Sequence, residues 1–95
     1  MNEEEQEEES RGLPSPSFQF LVSNFATQAL IELGEVANPV TKETAFAPAR
    51  AKFTIDLLEV VREKTDGNLE AGEKRFLDGA LYELRMKYVA KLRGE

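Results

Sequence analysis

Residues 18–34 read FQFLVSNFATQALIELG. Phe18, Leu21, Val22, Phe25, Ala26, Ala29, Leu30 and Leu33 fall at the i, i+3, i+4, i+7 spacing that lines one face of an α-helix. Ser17, just before, can accept a hydrogen bond from the first orphan backbone N–H groups. Gly34, just after, suits the left-handed position that ends a helix. These signals predict a helix from Phe18 to Leu33. No run of strand period competes with it elsewhere, so the chain reads as all-α.

Working outward, Glu35 to Glu43 reads as a link, with Asn38-Pro39 as its turn. A second helix is predicted from Ala45 to Thr65. Thr44 would be its N-cap, and Pro48 would sit in the first turn, where a missing N–H costs little. Asp66-Gly67-Asn68 closes it, with Gly67 supplying positive φ and Asn68 completing the turn. A third helix is predicted from Ala71 to Leu92. Glu70 is a poor cap, but Glu73 stands where a reciprocal capping carboxylate would. Residues 1–17 are Glu-rich and then carry Pro14, Ser15, Pro16 and Ser17. They cannot bury enough apolar surface to offset ordering entropy, and so read as a disordered acidic tail. The organisation expected is that tail followed by a single helical domain over residues 18–95. Its architecture would be a three-helix bundle or helical-hairpin assembly.

The chain has 95 residues and no Cys, His or Trp. Thiolate nucleophiles, imidazole acid/base chemistry, disulfides and thiolate or imidazole metal sites are thereby excluded. The net charge of −6 resides mostly in the tail, where Glu3, Glu4, Glu5, Glu7, Glu8 and Glu9 outweigh Arg11. Binding to nucleic acid requires clustered cations. Arg85, Lys87, Lys91 and Arg93 are the one such cluster, so nucleic acid is a weak reading. The glutamate run is unlike a secretory leader. Phe18 to Leu33 is too short and too polar for a membrane span of about 20 residues. The expectation is a cytoplasmic protein with no membrane contact.

Lys64-Thr65-Asp66-Gly67-Asn68 superficially suggests a phosphate loop, but its glycine follows the Lys-Thr pair and a helix precedes it. Asp66, Asn68 and Glu70 lack the terminal Glu of a calcium loop. Asp56, Glu59 and Glu63 form the polar strip of the second helix and read as a solvated face. Arg85 is placed to pair with Asp56 or Glu59 or to lie over an apolar stripe. No catalytic, cofactor-binding or metal-ligating residue is assigned, and no enzymatic activity is expected.

The helices carry more apolar surface than one core needs. A bundle helix uses one stripe a little over 100° wide. On the first helix, Phe20 and Ile31 fall opposite the stripe centred on Val22, Phe25, Ala29 and Leu33. On the third, Tyr82, Met86 and Val89 stand apart from Leu77, Ala80, Leu81, Leu84 and Tyr88. The second helix has Ala49, Phe53, Leu57 and Val60 on one side and Ala51, Ile55, Leu58 and Val61 on the next. Contiguous exposed apolar surface marks interfaces. Phe20, Ile31, Tyr82, Met86 and Val89 are therefore read as interface residues, with a homodimer expected first and another protein partner second. The alternative is a small regulatory protein that binds a larger complex or nucleic acid through the basic end of the third helix.

Several stretches together resemble a known family. They are Phe18 to Leu33 with Gly34-Glu35, Asn38-Pro39, Ala49-Arg50, Ile55-Asp56-Leu57-Leu58, the run from Glu63 to Leu69, and Leu81-Tyr82-Glu83-Leu84-Arg85-Met86-Lys87-Tyr88. The chain is similar, over residues 18–90, to domain of unknown function 1844, a family of short helical proteins. The resemblance implies a bacterial, cytoplasmic, all-helical protein, and it implies no activity. Family members usually carry Thr-Pro after the Asn-Leu pair. Glu70-Ala71 stands there instead, which predicts a frayed start to the third helix.

Overall fold

A computed structural model describes residues 2–95. These residues form four helices in order: α1 (Glu3–Ser10), α2 (Phe18–Glu32), α3 (Pro48–Lys64) and α4 (Ala71–Leu92). There is no strand among the described residues, and none of their helices is long and apolar enough to cross a membrane. Each of α2, α3 and α4 packs on the other two, so the domain is a three-helix bundle.

α2 begins where its cap predicts. The Ser17 hydroxyl accepts from Phe20 N at 3.0 Å. The helix closes with Glu35 N donating to Leu30 O at 2.9 Å, around Gly34 at φ +79°. Gly34 is also a packing position: a Cβ there would lie 3.2 Å from the Ala45 carbonyl carbon. The returning link is pinned at that point, with Ala47 N donating to Glu32 O at 2.7 Å. Within the link, Asn38 Oδ1 accepts from Val40 N at 2.8 Å, the local turn its side chain favours.

The start of α3 differs from the sequence reading. Residues 45–47 are not helical, and Thr44 is not the cap. Pro48 takes the first helical position, and Ala47, before it, holds φ −115° and ψ 85°. A residue preceding proline is pushed out of the α region by the pyrrolidine ring, so the helix cannot extend back towards Ala45. At the far end Thr65 caps α3, donating its hydroxyl to Val61 O at 2.7 Å. Gly67 has φ +84° as expected.

α4 has the predicted bounds. Its start is not frayed: Glu73 Oε1 accepts from Glu70 N at 2.9 Å, and this carboxylate replaces the missing Thr-Pro cap.

The tail read as disordered contains α1. Asn2 caps it by accepting from Glu5 N at 2.8 Å, and Glu3, Glu4 and Glu5 lie in the first turn, where negative charge suits the helix dipole. The helix buries no residue and touches none of the other three. The radius of gyration, 16.0 Å, exceeds the roughly 12 Å of a compact chain of this length, as a projecting tail requires.

The core is the meeting of three stripes. Val22, Ala29 and Leu33 come from α2 and its cap, Ala51, Ile55 and Leu58 from α3, and Leu77, Leu81 and Leu84 from α4. Phe46 and Tyr88 close one edge with their rings edge-to-face, centroids 6.4 Å apart. Leu21, although on the predicted stripe of α2, is exposed.

Candidate association surface

α4 is apolar on two opposite sides. Leu77, Leu81 and Leu84 fill the core, whereas Tyr82, Met86 and Val89 are 67%, 56% and 41% exposed. At 100° per residue these three lie between about 120° and 180° from Leu77. With Leu81 they line one open groove of ≈ 500 Å³, whose rim is Arg62, Asp78 and Arg85.

The rim is a charge-balanced ladder between α3 and α4. Arg62 Nε donates to Asp78 Oδ1 at 2.9 Å, and Arg85 Nη2 donates to Glu59 Oε2 at 2.8 Å. Arg62 Nη1 also reaches Glu59 Oε1 at 3.4 Å. Hydrogen bonding to Asp78, that carboxylate's charge and the charge of Glu59 hold the Arg62 guanidinium above its usual pKa. Arg85 therefore pairs with Glu59, one of the two partners the sequence offered. Its charge and that of Lys91, which meets Glu35 at 3.6 Å, are partly neutralised at the basic end of α4.

Phe20 and Ile31 lie on the outer side of α2, Phe20 exposed and Ile31 half-buried. Neither lines the α4 groove. The structure thus brings three of the five expected interface residues together and leaves the other two on a different helix. Phe53 and Val60 form a further outward pair on α3, 65% and 48% exposed. The sequence places both on one side of a helix that is apolar over well more than half its circumference, and that excess is the signal for an outward role.

A second depression, of ≈ 540 Å³, lies at the α3–α4 turn between Arg62, Thr65, Gly67, Leu69 and Lys74. It contains most of the run that superficially suggested a phosphate loop. Here Thr65 is occupied as a helix cap, and Gly67 turns the chain. The arrangement is that of a helix-to-helix connection.

No curated protein and no solved structure matches the chain. A family model described as Domain of unknown function (DUF1844) matches residues 15–90. That span covers α2, α3 and all but the last two residues of α4 and leaves out α1, and on this ground the chain belongs to that family.

Proposed function

We propose that this domain is a non-enzymatic interaction module that self-associates through its outward apolar faces, as a cytoplasmic homodimer. The observation that carries the reading is the groove of Tyr82, Met86 and Val89 on a helix whose opposite side already fills the core. Exposed apolar groups gathered in one groove and rimmed by polar residues are the usual mark of a protein interface. Small size favours the same outcome, since a bundle of about 75 residues buries a modest fraction of its unfolded surface and gains stability by association. The acidic tail, detached from the bundle, adds negative charge that aids solubility. A regulatory role at the basic end of α4 has less support, because Arg85 and Lys91 are engaged with Glu59 and Glu35.

Sedimentation equilibrium over a range of concentrations tests the proposal. The expected result is a reversible dimer, weakened by Met86→Glu with helicity retained. A monomer at high micromolar concentration would overturn it.

A further inference from the structure

The outer side of α4 holds more than the groove. Gly72, Arg75, Gly79, Tyr82, Met86 and Val89 are all exposed. They follow one another at intervals of 3, 4, 3, 4 and 3 residues, the heptad spacing that keeps one seam of a helix facing a partner helix. The seam is graded. Its N-terminal half carries two glycines, and its C-terminal half carries Tyr, Met and Val. The bundle does not need those glycines: a Cβ at Gly72 or Gly79 would meet nothing within 4 Å, and neither has positive φ. Glycine is also a poor residue for a helix interior. Nothing inside the bundle accounts for them.

We infer that the seam pairs with the same seam of a second copy, antiparallel, about a two-fold axis between residues 80 and 81. This deepens the self-association reading and rests on it. In that register Tyr82 of each copy lies over Gly79 of the other, Val89 lies over Gly72, and Met86 lies along the aliphatic stem of Arg75. Large groups then fall on the gaps that the glycines leave, which is how helix surfaces pack closely. The flank is complementary as well. Arg85 of each copy comes beside Asp78 of the other, so the two-fold axis makes the ion pair twice. Each of those side chains makes one intramolecular pair and remains partly exposed, at 49% for Arg85 and 39% for Asp78. A parallel pairing fails on the same residues. It stacks glycine on glycine and Arg75 on Arg75, and it brings Asp78 towards Glu83 of the other copy.

The chain has no cysteine, so introduced thiols report the register directly. Arg75→Cys and Met86→Cys chains, mixed and oxidised, should give mainly the mixed disulfide. Met86→Cys alone should not cross-link, because the two copies of residue 86 stand about 16 Å apart along the paired helices, beyond disulfide reach. Gly79→Leu should weaken the dimer at least tenfold without lowering helicity. Efficient Met86→Cys self-cross-linking, or a dimer indifferent to Gly79→Leu, overturns the antiparallel seam and leaves self-association standing. A dimer that forms no mixed disulfide does the same. A wild-type monomer overturns both.

Discussion

Thr54, buried in α3, donates its hydroxyl to the Glu32 carboxylate at the end of α2. Glu32 is tied twice more. Gln28 Nε2 donates to its other carboxylate oxygen at 3.0 Å, and its backbone carbonyl accepts from Ala47 N at 2.7 Å. One residue thus fixes the end of α2 to the side of α3 and to the returning link. Thr54→Val keeps the shape and removes the donor. Because Glu32 is only half-buried, water can replace the lost partner, so the cost should be about 1 kcal/mol. Urea denaturation should show a lowered midpoint with an unchanged slope, and Thr54→Ser should restore most of the difference. Equal stability of Thr54→Val and wild type would remove the hydrogen bond from the account.

Gly34 and Gly67 share a positive φ but differ in what surrounds them. A side chain at Gly67 meets nothing within 4 Å, whereas one at Gly34 meets the Ala45 and Phe46 backbone at 3.2–3.3 Å. Gly67→Ala should therefore cost about 1 kcal/mol for its backbone alone. Gly67→Val should cost more, since a β-branched residue is a true outlier at positive φ. Gly34→Ala should exceed Gly67→Ala, because the link from Ala45 must move as well. The ranking can be read from thermal melts of the three variants. The reverse order for the two alanine variants would mean that the link yields freely.

Much of this framework was readable from local chemistry. α4 was placed at both ends, and α2 was placed by a serine cap and a glycine stop. Those signals act within one turn, where sequence and structure are tied most directly. The start of α3 was misplaced because Thr44 resembled a cap. The deciding restraint was Pro48 acting on Ala47, together with a hydrogen bond from Ala47 to a residue fifteen positions earlier. α1 was missed because composition argues from burial, and this helix has none. Its support is a cap and a dipole. On the surface, the period of α4 located Tyr82, Met86 and Val89 without showing that they share a groove with Arg62. That grouping depends on how α3 lies against α4, which periodicity does not encode.

The independence of α1 from the bundle leads to a simple expectation. Deleting residues 1–15 should leave the melting temperature and the helicity of the bundle unchanged. In a domain of this size 1 kcal/mol corresponds to roughly 4–8 °C, so even a minor packing role would be visible. A loss of several degrees would show that the tail packs on the bundle in solution.

Leu84 and Met86 are two residues apart on α4 and face opposite ways, 2% and 56% exposed. The same substitution at each separates folding from association. Leu84→Glu places a carboxylate among Leu58, Leu77 and Leu81, where it has no partner. The group must either remain charged at a cost of several kcal/mol or take up a proton with a strongly raised pKa. Against a total stability of about 5–15 kcal/mol for a native domain, the chain should lose its helical signal. Met86→Glu disturbs nothing inside the bundle. Circular dichroism should show normal helicity, and sedimentation should show a shift towards monomer. If Met86→Glu also unfolded the chain, folding would require the associated state, and the bundle would be stable only as part of it. If Leu84→Glu remained folded while Met86→Glu did not, the side of α4 taken as outward would be the one buried in solution. The two variants thus decide which face of α4 carries the fold and which is left for a second copy.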